Sequence, residues 1–332
     1  MAPLDSSSAE RLVPELHMVS VVTPAFNESG NLPELHSRLE ASLSQLGCDW
    51  EWIVVDDHSG DRTFGVISDI AARDARVSGV RLAHNSGSHA ALLCGLLRAQ
   101  GNCAIMMAAD LQDPPDLVGR LVEKWRMGAQ LVWAVRESRR GEKWSTLAFS
   151  RLFSLFMRHL AGMKEMPPSG AGAFLVDRVV MEALGRFSES SPNVYLLLFR
   201  MGFRQAHVGY DVQARVHGRS GWTFAKKVRL AVDSVTAFTY RPIRIMAAVG
   251  FATALGGFVY AAFVITNALR GRPPQGWSSL MVAVLLIGGL LMSMLGVLGE
   301  YLWRALDETR RRPRFLIEET TETEERGMRI EE

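Results

Sequence analysis

Two long stretches without a charged residue, 245–269 and 273–299, constrain this chain more than any other feature. Each exceeds the roughly 20 residues that carry an α-helix across about 30 Å of hydrocarbon. A pair of buried core helices is the competing reading, but such helices are usually shorter and keep a polar stripe. Neither stretch has one. Gly250, Gly256, Gly257, Gly288, Gly289 and Gly296 suit close helix–helix contact in a bilayer.

The short link 270–276 makes the two spans (245–269 and 277–299) an antiparallel hairpin. Its only charges are Arg270 and Arg272, whereas Lys226, Lys227, Arg229, Arg241 and Arg244 precede the hairpin and Arg304, Arg310, Arg311, Arg312 and Arg314 follow it. By the positive-inside bias the loop lies outside and both flanks inside. The expectation is an integral protein of the cytoplasmic membrane, with both termini and the soluble domain cytoplasmic. The N-terminus has no apolar h-region, so no signal peptide is expected. A net charge of +2 gives no case for nucleic acid; the basic residues crowd near the spans, where anionic membrane lipids are the fitting partner. Cys48, Cys94 and Cys103 are odd in number and lack metal-ligand spacing, which fits a reducing compartment.

Ahead of the hairpin, β-branched runs alternate with helical leucine spacing. Strands are expected at 19–23, 52–55, 80–83, 103–108 and 131–135, and helices at 31–46, 63–72, 88–100 and 117–127. Such alternation with short links implies an α/β fold, with a mostly parallel sheet covered on both faces. Ligands bind beyond the carboxyl ends of such strands. The residues there are polar: Asn27 and Glu28, Asp56 and Asp57, Asn85 and Gly87, Asp110, Gln112 and Asp113, then Arg136. Aromatic and basic residues mix over 144–160 and 222–240; either alone could be a core helix, but two beside a membrane hairpin favour interfacial helices lying on the bilayer surface. The tail after Ile317 is expected to be frayed.

Asp110-Leu-Gln112-Asp113 groups hard oxygen donors suited to Mg²⁺ or Mn²⁺, which share their shell with substrate phosphates. Asp113 before two prolines also suits a helix N-cap, and the two roles are compatible. Asp56-Asp57-His58-Ser59 suits hydrogen bonding to a base or ribose, or forms a plain turn. Arg136, Arg139 and Arg140 suit phosphate, or a solvated loop. Arg215, Arg219 and Ser220 lie where a lipid phosphate would arrive at the 222–240 stretch. For His89, His207 and His217 a structural or solvent role is the default. P-loop, G-x-S-x-G and G-x-G-x-x-G patterns do not occur.

Taken in order, Val21-Val22-Thr23-Pro24-Ala25-Phe26-Asn27-Glu28, Val54-Val55-Asp56-Asp57-His58-Ser59-Gly60-Asp61 and Asp110-Leu-Gln-Asp-Pro-Pro resemble family 2 glycosyltransferases of the GT-A fold. Asn85-Ser-Gly87-Ser-His89, Val135-Arg136 and Gly299-Glu300-Tyr301-Leu302 narrow the resemblance to polyprenyl-phosphate glycosyltransferases, over residues 18–318. The resemblance implies a nucleotide-sugar donor (UDP- or GDP-linked), a polyprenyl-phosphate acceptor, inversion at the anomeric carbon, Mg²⁺ or Mn²⁺, and a homo-oligomer. It would assign Pro24, Ala25, Asn27, Glu28, Asp56, Asp57, Ser59, Asn85 and Gly87 to the nucleotide side. Asp110 and Gln112 would ligate the metal, Asp110, Asp113 and Arg136 would be catalytic, and Arg215, Arg219 and Ser220 would meet phosphates. The layout is then a flexible start (1–17), a GT-A domain (18–220), an interfacial helix (221–244), the hairpin (245–303) and a cytoplasmic tail (304–332). Three positions depart from the family pattern. Ala108 stands where a first metal carboxylate is usual, Gly172 where an acid is common, and Gly221 where a lysine is frequent.

Overall fold

The computed structural model describes residues 16–114, 116–138, 171–187, 193–212, 241–270, 276–310 and 312–321. The chain divides into two compact units. One takes in Met1–Arg158, Met163–Gly221 and Pro313–Glu332, the other His159–Gly162 and Trp222–Arg312.

The first unit is built on an eight-stranded sheet. Its strands are β1 (Met18–Ala25), β2 (Asp49–Asp56), β3 (Val77–Leu82), β4 (Cys103–Met106), β5 (Leu131–Ser138), β6 (Ala171–Asp177), β7 (Gln205–Asp211) and β8 (Ile317–Thr320), in the order β7-β5-β6-β4-β1-β2-β3-β8. Pairing is parallel except where β6 meets β4 and β5, and where β8 meets β3. The carboxyl ends of β1 to β5 therefore share one edge, as the alternating sequence pattern requires.

Helices α1 (Leu32–Leu43), α2 (Thr63–Ala71), α3 (Ser88–Arg98) and α4 (Leu117–Arg126) cover the sheet, with α5 (Arg178–Gly185) and α6 (Val194–Arg200) added. Period-2 alternation in β1 sends Val19 and Val21 into one apolar cluster with Leu32, Leu35, Leu39, Phe64, Ile67, Leu117 and Leu121. Val22 faces the other way, against α3. That helix lies so close that a Cβ on Gly95 would collide with the Val22 side chain. A helix on each face leaves the strand ends as the open edge.

The first residues of the tail, through Thr321, are not frayed but held in the sheet, and 322–332 lie outside the described residues. Leu316 O accepts the Ala83 N–H at 2.8 Å, and Thr321 exchanges bonds with Gly79, so β8 caps the β3 edge. An open edge of unpaired amides is a liability that a short charged strand removes.

In the second unit, α7 (Arg241–Leu269) and α8 (Trp277–Thr309) are each long and apolar enough to cross a membrane. Their apolar side chains face outward, Phe251 and Phe258 about three-quarters exposed at 74% and 76%. Helix α8 runs ten residues past the expected end at 299, and its 33 residues span about 50 Å. Of the glycines expected to bring the helices together, Gly250 lies against the other helix, where an added Cβ would stand 3.1 Å from Met294 Cε; a Cβ on Gly256, Gly257, Gly288, Gly289 or Gly296 would meet nothing within 4 Å. Residues 144–160 and 222–240, expected to form interfacial helices, lie outside the described residues.

Candidate active site at the strand ends

Among the described residues, three other than glycine have left-handed backbone: Asn27 (φ 56°), His58 (φ 57°) and Leu111 (φ 59°). Asn27 and His58 each lie two residues past the end of a strand, β1 and β2, and Leu111 opens the turn after β4. Gly87 (φ 90°) does the same between β3 and α3. Asparagine tolerates this region; a branched, buried leucine does not. Strain gathered on one edge of a sheet persists only where the surroundings impose it, and it marks functional edges.

The turns after β1 and β2 interlock. The Asn27 N–H donates to Ser59 Oγ at 2.9 Å, the Gly60 N–H to Asn27 Oδ1 at 2.9 Å, and the Glu28 N–H to Thr63 Oγ1 at 2.9 Å. Pro24 and Ala25 pair in register with Val55 and Asp56. Asp56 is fully buried; it accepts the Ser59 N–H at 3.1 Å and faces Arg81 Nη1 at 3.2 Å. A buried carboxylate without such a counter-ion would be costly. Asp57 uses both oxygens on the next loop, accepting the Ser86 and Gly87 N–H groups at 2.7 and 2.9 Å. Burial still pushes its carboxyl above the ordinary range, those two amides opposing the shift. Asp57 is thus a brace between strand ends, with Asn85 exposed on the loop it holds.

After β4, Asp110 and Gln112 share a tight turn, where Asp110 Oδ1 accepts the Gln112 N–H at 3.3 Å, and both are partly exposed. Asp113 turns inward instead. It is buried and accepts the Tyr210 hydroxyl proton at 2.8 Å; that hydroxyl also receives Arg136 Nε at 3.4 Å. Burial raises the Asp113 carboxyl, while the Tyr210 bond works the other way. The N-cap expectation for Asp113 is corrected here: α4 begins at Leu117 with Asp116 before it, and the Asp113 side chain is committed to Tyr210. Gly172 explains how Tyr210 fits, because a Cβ there would collide with the tyrosine hydroxyl.

Residues 20–184 match the family model described as Glycosyl transferase family 2, and residues 241–304 match the GtrB C-terminal hairpin. A glycosyltransferase of Synechocystis sp. is 35% identical over 90% of this chain and 94% of its own length. The chain belongs to glycosyltransferase family 2. Undecaprenyl-phosphate 4-deoxy-4-formamido-L-arabinose transferase of Pseudomonas aeruginosa strain PAO1 is 34% identical over 91% of this chain and 90% of that protein. Among solved structures, mannosyl-3-phosphoglycerate synthase from Rubrobacter xylanophilus aligns at 22% identity over 66% of this chain and 73% of that one, with a TM-score of 0.46.

The donor set after β4 can be tested against a divalent ion. Among the described residues no group of three acidic, histidine or cysteine side chains could hold a metal. Asp110 and Gln112 are hard oxygen donors on one turn, which suits Mg²⁺ or Mn²⁺ only when substrate phosphates fill most of the shell. Ala108 supplies no carboxylate and Asp113 is occupied elsewhere. Arg215, Arg219, Ser220, Arg139, Arg140 and Gly221 lie outside the described residues. Two contributors had escaped sequence reading. Tyr210 sits in an unremarkable strand, whereas Arg81, a lone arginine in a buried strand, was a signal that could have been followed.

Proposed function

We propose that the enzyme transfers a sugar, with inversion, from a nucleotide sugar to a polyprenyl phosphate of the undecaprenyl type at the cytoplasmic membrane face. The observation that carries this is the union in one chain of the strand-end site with a GtrB C-terminal hairpin. The Pseudomonas relatives, whose name specifies undecaprenyl phosphate, support the acceptor class.

In this reading the Asn27–Glu28 and Asp56–Ser59 turns receive the nucleoside. Asp110 and Gln112 would hold Mg²⁺ or Mn²⁺, which supplies charge neutralisation on the diphosphate. A phosphate monoester is largely ionised near neutral pH, so the acceptor arrives as a ready nucleophile and needs no strong base. Its oxygen forms the new bond to the anomeric carbon as the bond to the diphosphate breaks on the opposite face, and the nucleoside diphosphate departs with the electron pair. The chain's task is in-line positioning and stabilisation of charge. Arg136, with Nε against the Tyr210 hydroxyl, is oriented for phosphate by a buried partner.

The test is transfer by the full chain in detergent with Mn²⁺, undecaprenyl phosphate and a panel of labelled UDP- and GDP-sugars. Label in a chloroform-soluble product is expected with one donor. Neither transfer nor binding with any donor would overturn the reading. A second reading, a catalytically impaired scaffold that binds nucleotide or lipid, draws on Ala108; binding without turnover would favour it.

A further inference from the structure

We propose that Glu318, on the strand that follows the hairpin in sequence, is a positioning residue for donor binding. The proposal rests on the reading of Asp56 and Ser59 as part of the nucleotide site. Asp56 is fully buried, and Arg81 is its counter-ion, Nη1 reaching Oδ2 at 3.2 Å while Nη2 donates to Ser59 O at 3.3 Å. Arg81 is itself partly exposed, so water competes for the rest of its guanidinium and lets it pivot about the Asp56 contact. Glu318 prevents that: its Oε2 takes Arg81 Nε at 3.0 Å. The same oxygen lies 3.3 Å from His58 Nδ1, the left-handed residue between Asp57 and Ser59.

The backbone is built to deliver this contact. Strand β8 pairs Thr320 with Val80 and Glu319 with Arg81, then skips, so that Leu82 pairs with Ile317. Glu318 is the extra residue of a bulge, a device that re-aims a side chain. Without the bulge Glu318 would stand opposite Leu82. With it, the carboxylate turns back to Arg81 and His58. The last strand of the fold therefore fixes the Asp56–Ser59 turn from outside, through two residues that need not touch the ligand.

The test compares Glu318→Ala, Glu318→Gln and Arg81→Ala in the full chain, with Asp56→Asn as a control on the nucleotide site. Donor KM, acceptor KM and kcat are measured, together with nucleoside diphosphate affinity by calorimetry. Glu318→Ala is expected to raise donor KM and weaken the diphosphate roughly 5- to 10-fold, the scale of a charge-assisted bond discounted for partial exposure. Acceptor KM and kcat should stay within about twofold, Glu318→Gln should recover part of the loss, and the Glu318→Ala/Arg81→Ala double variant should be no worse than Arg81→Ala. Unchanged donor affinity in Glu318→Ala, or additive effects in the double variant, would overturn the positioning role while an affected Asp56→Asn leaves the nucleotide site standing. If Asp56→Asn also binds normally, both readings fall.

Discussion

Gly172→Ala tests whether glycine at this position exists to admit Tyr210. The added Cβ would overlap the Tyr210 hydroxyl, with Cζ at 3.1 Å and Cε1 at 3.4 Å behind it. The ring must retreat, and overpacking of that kind costs about 1–3 kcal/mol. Retreat also breaks the 2.8 Å bond to Asp113, a buried acceptor, at about 1–3 kcal/mol more. Together that is about 2–6 kcal/mol, or roughly 4–24 °C in Tm for a domain of 150–250 residues. Tyr210→Phe alone loses only the hydrogen bond. Once the hydroxyl is gone, the remaining carbon contacts need shifts of a few tenths of an ångström, so Gly172→Ala on that background should cost about 1 kcal/mol. Thermal unfolding of the four chains, detergent-purified, closes a double-mutant cycle. The difference between the two backgrounds sets an expected coupling of about 1–5 kcal/mol. Additivity within about 0.5 kcal/mol, or a silent Gly172→Ala, would refute the steric argument.

Asp110→Asn should lower transfer by about 100-fold or more, since it weakens the hold on the divalent ion that would neutralise the diphosphate, with Tm unchanged; full activity in initial-rate assays would remove Asp110 from the chemistry. Asp113→Asn should flatten the pH dependence of stability. Burial holds the folded carboxyl above its ordinary 3.8, so the folded chain binds the extra proton above that pH and the wild type loses stability as pH rises through that window. Tm measured from about pH 4 to about pH 7 should fall less steeply in the variant, which keeps an acceptor for Tyr210, and equal slopes would contradict this. Native protein should take up one maleimide, at the half-buried Cys48. Cys94 and Cys103 are buried, the Cys94 thiol pushed up to about 12 and Cys103 pushed up as well, and intact mass should show three labels only after denaturation.

The parts of this molecule legible in sequence are those with a local cause. Strands β1 to β5 and helices α1 to α4 follow from apolar period and turn residues, and Asn27, Asp56, Gly87 and Asp110 could be found because each stands just past a strand. Parallel pairing then sends those ends to one edge without further information. Strand β6 was illegible for a physical reason: Ala171-Gly172-Ala173 has weak strand preference, and the strand is central, buried on both faces, so no alternation appears. Strand β8 is short and acidic, and its identity as a strand depends on an open edge that only the finished sheet presents.

The same division explains the site. Asp113 and Arg136 carry no local sign that they share Tyr210, since the tyrosine lies 97 residues from Asp113 in sequence and reaches it only because β7 pairs with β5 and Gly172 leaves space. Arg81 and Glu318 are 237 residues apart and meet across one strand pair. Residues that would touch ligand sit in local turns, whereas those that hold them arrive from distant strands. A substitution scan confined to the strand-end motifs would therefore miss Tyr210, Arg81 and Glu318. Variants of these three should alter affinity or stability while every motif residue stays in place.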